Sequence, residues 1–298
     1  MSLRLEVGAA TDIGRVRDHN EDGYLVEHHV GLIAVADGMG GHRGGEVASA
    51  AALEALRIAF VAGASIDEAV SVANDAVHEQ SVADPNLRGM GTTLTAGSFD
   101  DEGHLVLGHV GDSRAYLARG GELERVTTDH SLVEELIQAG ELTPEEAERD
   151  PRRSMITRAL GLEPGVAVDV IELDLRDGDR LVLCSDGLTT MVGEDDIASL
   201  LAEEPDAATA ADRLVDAANA AGGVDNITVV VIDVVNDDAP AKPESASDER
   251  GAEQLDELPD EMPDELTDEP ADGPADGPAE NMDAAEKPRE RRWFGLRR

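Results

Sequence analysis

Aromatic residues, cysteine and lysine are all scarce in this 298-residue chain, and each shortage excludes something. With one Trp, two Tyr and three Phe, the core has to be assembled from Ala, Val, Leu and Ile. A lone cysteine, Cys184, rules out an internal disulfide and any cysteine-rich zinc site, and it fits a reducing compartment. No stretch approaches the ~20 apolar residues needed to cross a bilayer. The N-terminal MSLRLEVGAA has neither the basic region nor the apolar stretch of a secretion signal. The expectation is a soluble, cytoplasmic protein with no transmembrane segment. Lysine occurs only at Lys242 and Lys287, so residues 1–236 set 45 Asp or Glu against 16 Arg and no Lys. No nucleic-acid partner is expected of such a chain.

What the chain does contain is unevenly distributed. Residues 1–236 have the apolar content and turn signals of a globular domain long enough to bury a substantial core. Beyond VVVIDVVN the composition breaks into Pro, Asp, Glu, Ala and Gly, with imperfect repeats such as LPDEMPDELTDEPADGPADGPAE. That segment, 237–286, cannot bury enough apolar surface to offset its ordering entropy and is expected to be an acidic disordered tail. The last twelve residues, 287–298, reverse sign: KPRERRWFGLRR carries six Lys or Arg against one Glu, around Trp293 and Phe294. This basic aromatic tip is suited to docking on a partner, an anionic surface or the acidic body. The alternative is a solubilising tail with an incidental end.

Periodicity organises residues 1–236. Strand-like runs fall at about 3–9, 24–29, 31–36, 92–99, 104–110, 114–119, 122–126, 166–173, 180–185 and 227–235, several joined by hairpin signals such as DDEG and RGG. GGEVASAAALEALRIAFVAG and SIDEAVSVANDAVHEQ repeat apolar residues at helical spacing, the second behind a Ser N-cap. Two more helical stretches, about 194–202 and 206–221, precede the final strand. Hairpin groups with helices inserted between them predict an α+β fold. GLIAVA and ITVVVIDVV are apolar on both faces, as in central strands of sheet packed on sheet with helices outside.

Five aspartates stand at strand ends: Asp22, Asp37, Asp112, Asp186 and Asp225. Short, hard carboxylates at strand termini can converge on Mg²⁺ or Mn²⁺. Asp22, Asp37 and Asp186 are each followed by glycine, which lets backbone approach closely. Any one such Asp-Gly is adequately explained as a turn; the ensemble is not. His28 and His29, adjacent on an expected strand, would point to opposite faces and could not share an ion.

The motifs TDIGRVRDHNED, ADGMGGH, GMGTTLTA, HVGDSRAYL, LCSDGLT and GGVDNITVVV occur in this order across residues 5–235. Together they resemble the metal-dependent type 2C serine/threonine protein phosphatases, the PPM family, in a compact bacterial form. The resemblance implies a four-layer αββα sandwich of two antiparallel sheets flanked by helices, with a two-metal site where the sheets open. It assigns Asp22, Asp37, Asp186 and Asp225 as ligands of two Mn²⁺ or Mg²⁺ ions, directly or through water. It adds the Gly38 carbonyl as a further ligand and Glu21 beside the site as a support for bound water. Asp112 would join Asp186 at a third, weaker metal position. Arg17 would be the phosphate clamp, since a planar guanidinium grips two oxygens at once and keeps its charge. His42 is a candidate for substrate contact or proton donation.

The reaction so implied is hydrolysis of phosphoserine and phosphothreonine by direct attack of a metal-bridging water, without a covalent intermediate. Substrates would be phosphoproteins, including a Ser/Thr kinase. A cysteine phosphatase is excluded by the residues themselves, because no Cys-x5-Arg cradle follows Cys184: position 190 is Thr190. Two relatives of the same fold are the alternatives: a phosphatase dedicated to a phosphorylated transcription regulator, and an inactive phosphoprotein-binding form. Residues 129–161 match the family's flap, with Asp150 where His commonly precedes the proline; Thr190 likewise replaces a common Asp. Neither departure touches an assigned ligand.

The charge balance yields a prediction of its own. Unneutralised carboxylates in this excess repel one another in dilute buffer, and the Debye length falls to ~3 Å at molar salt. The acid excess reads as adaptation to a salt-rich cytoplasm. At fixed Mn²⁺ the thermal midpoint is expected to rise from dilute buffer to molar KCl, and activity with it. A midpoint that is flat or falls along the KCl series rejects that reading.

Overall fold

A computed structural model describes residues 3–40, 43–100, 102–147 and 149–236. His42 and the expected tail and tip, 237–286 and 287–298, lie outside the described residues. The strands are β1 (Leu3–Asp12), β2 (Asp22–Glu27), β3 (Leu32–Met39), β4 (Gly91–Thr92), β5 (Leu94–Phe99), β6 (His104–Val110), β7 (Arg114–Arg119), β8 (Glu122–Arg125), β9 (Asp169–Asp174), β10 (Arg180–Cys184) and β11 (Ile227–Asn236). The helices are α1 (Gly44–Val61), α2 (Ile66–Ala83), α3 (Leu132–Gln138), α4 (Pro144–Ala147), α5 (Asp186–Thr189), α6 (Glu194–Glu203) and α7 (Ala207–Ala220). One sheet runs β1-β11-β10-β7-β8; the other runs β2-β3-β5-β6-β9, with β4 against β3. Every pairing is antiparallel.

The apolar runs bury both faces because each strand serves two cores. Along β3, Ile33 and Val35 point into the core between the sheets, while Leu32, Ala34 and Ala36 face α1 and α2. Along β10, Leu181 and Leu183 enter the inter-sheet core, and Val182 and Cys184 face the opposite helical layer. β11 alternates in the same way, with Val230, Ile232 and Val234 inward and Val229 and Val231 outward. The period of two thus sorts side chains into layers. The order is α1 and α2, sheet, sheet, then α6 and α7, which is the α+β sandwich expected. Small residues let the helices sit close: a side chain at Gly8 in β1 would collide with the backbone of α7 at Ala208. Among the described residues Tyr116 is the one Phe or Tyr with no exposed surface, and its hydroxyl donates to Glu194 at 3.1 Å.

Two details differ from the sequence reading, and a third adds to it. The expected strand 92–99 is split at Thr93, whose side chain and N–H turn to the backbone of Asp37. His28 and His29 lie in a turn rather than on a strand, because Val30 N–H already closes onto the Glu27 carbonyl. Residues 129–161 contain α3 and α4, and antiparallel bridges tie the segment at Ser131–Ile156 and Thr92–Leu160. At α2, Glu68 accepts the Ser65 N–H at 3.1 Å, and the Ser65 hydroxyl donates to Asp67.

The sheet end remote from Asp186 carries a buried ion pair. Arg180 meets Asp233 through Nε at 2.5 Å and Nη2 at 2.8 Å, and its Nη1 donates to the carbonyls of Leu201 and Glu204. Both side chains are nearly enclosed. Arg180→Leu would strand a buried carboxylate and two carbonyls, and is expected to cost about 3–5 kcal/mol in urea denaturation. The double substitution Arg180→Leu/Asp233→Leu is expected to recover part of that loss. Additive losses would show that the two groups do not depend on each other.

Candidate active site

The second sheet contributes two carboxylates directly opposite each other. Asp22 opens β2 and is the register partner of Asp37 in β3. The Asp37 backbone is held on both sides: its N–H donates to Thr93 Oγ1 at 2.9 Å, and its carbonyl accepts from Thr93 N–H and Thr92 Oγ1, both at 2.9 Å. Thr93 Oγ1 also lies 2.7 Å from Ser113 Oγ, which links Asp37 to the turn bearing Asp112. From the first sheet, Asp186 starts α5 directly after β10, and Asp225 precedes β11.

Asn226 gathers the remaining loops. Its N–H donates to Asp225 Oδ1 at 2.9 Å and its Oδ1 accepts the Glu21 N–H at 2.8 Å. Its Nδ2 donates to the carbonyls of Ile13 and His19. A side chain at Gly187 would collide with the Asn226 carbonyl, so the glycine after Asp186 permits this contact. Gly38 has the same role after Asp37. A Cβ there would strike the Gly45 carbonyl at the start of α1 and stand 2.6 Å from the Glu21 carbonyl.

Side-chain hydrogen bonds join the sheets at the site. Ser185 Oγ donates to Asp22 Oδ2 at 2.7 Å and accepts the Thr228 N–H at 3.0 Å. The other oxygen, Asp22 Oδ1, is buried with no hydrogen-bond partner among the described residues, and so is Asp112 Oδ1. Unpartnered buried carboxylate oxygens are costly, so their presence in pairs marks a place prepared for a cation.

The electrostatics agree. Burial, then the charges of Asp186 and Asp225, push the Asp22 carboxyl up to about 7. Asp112 is pushed up to about 7 by burial and by Asp186 and Asp129. Asp186 rises to about 6 through burial and Asp225, despite a hydrogen bond with Asp37. Asp37 also lies well above the usual range, by burial and the fields of Asp22, Asp186, Asp112 and Asp225. These carboxylates meet pairwise and through their fields: among the described residues no three of them close on one point in a ready-made ligand cluster. Arg17 stands at the rim, half exposed, with Nη2 at 2.6 Å from Asp225 Oδ2.

Arg17, Glu21, Asp22, Asp37, Gly38, Asp186 and Asp225 therefore border one cleft, and Asp112 is coupled to it through Asp186 and Asp37. The sequence reading missed Ser185, which bonds the Asp22 carboxylate, Thr93, which holds the Asp37 backbone, and Ser113, which bonds Thr93. Their only signal was position, one residue beside a motif Asp or inside GTTL. Cys184 is fully buried and its thiol is pushed up to about 12 by that burial, so no thiolate nucleophile is present.

Comparison with known proteins supplies the family. The sequence model described as protein phosphatase 2C matches residues 15–222. The serine/threonine protein phosphatase PstP of Mycobacterium tuberculosis is 45% identical over 247 residues, which cover 80% of this chain and 46% of that protein. The chain thus spans about half the length of that relative. Protein phosphatase PhpP of Streptococcus pneumoniae is 39% identical over 250 residues, covering 79% of this chain and 100% of that one. A solved structure of the PstP catalytic domain in complex with two manganese ions has a TM-score of 0.70 and 42% identity, covering 79% of this chain and 100% of that one.

The raised carboxylates fix the sign of a pH effect. An Asp whose folded pKa lies above its unfolded value of ~4 binds its proton more tightly when folded. Stability of the metal-free protein is therefore lost as pH rises from about 4 through about 7. In excess chelator, Asp22→Asn is expected to raise the thermal midpoint at about pH 8 and to raise it markedly less at about pH 5. His109, pushed down to about 4 by burial, titrates with the opposite sign but equally in both proteins. Equal shifts at the two pH values would show that the Asp22 charge is not under this strain.

Proposed function

The chain belongs to the protein phosphatase 2C family, and from that premise we propose that it is a metal-dependent phosphatase acting on phosphoserine and phosphothreonine in proteins. The single observation that carries the proposal is the pair of buried, unpartnered oxygens, Asp22 Oδ1 and Asp112 Oδ1, set among carboxylates from both sheets. The donors are all hard oxygens, as Mn²⁺ and Mg²⁺ require. Asp22, Asp37, Asp186 and Asp225 would hold two such ions with the Gly38 carbonyl, and Asp112 with Asp186 a weaker third. The manganese-bound structure similar to this chain supports that reading. Cations there supply charge neutralisation at the phosphate and a water acidic enough to attack at neutral pH.

The chain's own residues do the rest. Arg17, steadied by Asp225, presents its guanidinium fork to two phosphate oxygens and orients the ester. Ser185 occupies one oxygen of Asp22 and leaves the other directed to the site. Glu21 accepts a hydrogen bond from the Gly45 N–H, and burial raises its carboxyl. That carboxyl is placed to take or hold a water proton at the cleft edge. The substrates we envisage are phosphoproteins, a Ser/Thr kinase among them. The inactive-relative reading is disfavoured because every acidic position of the motifs is filled.

A phosphothreonine peptide, assayed with Mn²⁺ and again with excess chelator, tests this. Turnover should vanish in chelator and return with Mn²⁺ or Mg²⁺. Asp37→Asn is expected to lower kcat by about a hundredfold or more while the fold survives. Arg17→Ala should act mainly on KM, and Arg17→Lys should rescue only in part. Hydrolysis undiminished by chelation would overturn the proposal.

A further inference from the structure

Ten of the 16 arginines in residues 1–236 make ion pairs with carboxylates. In so acidic a chain a guanidinium with no such partner is the exception. Among the described residues the exceptions are Arg15, Arg43, Arg88, Arg149, Arg153 and Arg176. Three of them, all exposed, are carried by segments that touch the site.

Arg15 lies two residues from Arg17, and its N–H is bonded to the Gly223 carbonyl at 2.7 Å, which fixes it on the rim beside Asp225. Arg43 is the N-cap residue of α1, the helix whose first glycines abut Gly38 and Glu21. Arg88 precedes Met90. A Cβ on Gly40 would stand 2.8 Å from Met90 Cα, and one on Gly44 would stand 3.3 Å from Met90 Cβ. Arg43 and Arg88 therefore flank one contact, on the side of the cleft bounded by β3 and α1. Arg15 is tied instead to the loop that precedes β11.

Nearby acids make local hydrogen bonds instead of ion pairs with these arginines. Asp12 accepts from the Gly14 N–H and from Asn219, and Asp84 accepts from the N–H and side chain of Asn86. The N-terminus of α1 adds to the same positive edge, since no side chain caps it.

We propose that Arg15, Arg43 and Arg88 form an anion-binding rim that selects substrates carrying further negative charge near the phosphorylated residue, as acidic side chains or a second phosphate. The proposal rests on the phosphatase reading above. An acidic body repels an acidic peptide at long range. Unpaired guanidiniums are the groups able to receive one, and they do so through fork contacts that survive where diffuse attraction is screened.

Three peptides sharing one phosphothreonine test it: neutral flanks, flanking Asp and Glu, and a second phosphothreonine nearby. The wild-type protein is expected to show a KM about three- to tenfold lower for either charged peptide than for the neutral one, from exposed pairs of ordinary strength. Arg43→Gln/Arg88→Gln and Arg15→Gln should each reduce that preference, Arg43→Lys/Arg88→Lys should keep only part of it, and turnover of para-nitrophenyl phosphate should be unchanged in all. Whichever charged peptide gains more identifies the anion the rim reads. Equal KM for all three peptides, or a preference untouched in the Gln variants, would overturn the proposal. Fluorescence anisotropy of the labelled peptides reads the rim without turnover. Rim-dependent binding with no hydrolysis would sink the phosphatase reading and leave the rim standing.

Discussion

The constraint on which this structure turns is the mutual repulsion of Asp22 and Asp37. They are register partners in an antiparallel pair, a placement in which like charges destabilise a sheet, and Asp186 and Asp225 add their fields from the other sheet. Burial first, and then the neighbouring carboxylates, hold three of the site's carboxyls near or above pH 6. A fold with this centre is stable only if the rest of it is built to withstand the centre, and only if protons or cations relieve it.

The layers around the site show how it is withstood. Each sheet is buried on both faces by aliphatic residues alternating between two cores, so the strand ends carrying the acids have little freedom to splay. Neutral hydroxyls then position the acidic residues without neutralising them: Ser185 on the Asp22 carboxylate, Thr92 and Thr93 on the Asp37 backbone, Ser113 on Thr93. Hydroxyls suit this work because they fix direction and leave the charge for a cation. Arginine is kept out of the centre. Arg17 reaches only Asp225 at the rim, and Arg114 is turned away onto Asp129.

Much of this was legible in the chain. Period-two runs in GLIAVA and ITVVVIDVV announced strands covered on both sides, and α1, α2, α6 and α7 fall where apolar spacing placed them. The Asp-Gly steps were readable as sites of close backbone approach, which Gly38 and Gly187 make concrete. What stayed hidden were contacts between residues far apart in sequence. Nothing in CSDG says that Ser185 will reach Asp22, 163 positions away. Thr93 breaks a strand for the sake of Asp37, and propensity alone favours continuing it. His28 and His29 were misplaced for the related reason that strand ends depend on the turn that closes them.

Charge connects the centre to the surface. A body with nearly three carboxylates per arginine cannot attract a phosphoprotein by its general field, so recognition has to come from cations placed where the substrate lands. Lysine, whose charge sits on a flexible stem, is missing from residues 1–236; arginine, with a planar fork fitted to phosphate and carboxylate, is the only cationic side chain there apart from histidine. Most of those arginines are spent on neighbouring acids within the fold. Arg15, Arg43 and Arg88 make no such pair among the described residues, while Asp12 and Asp84 accept from backbone and amide groups. The same acidity that makes the centre hungry for cations thus makes the few unpaired guanidiniums at its mouth the determinants of what can approach it.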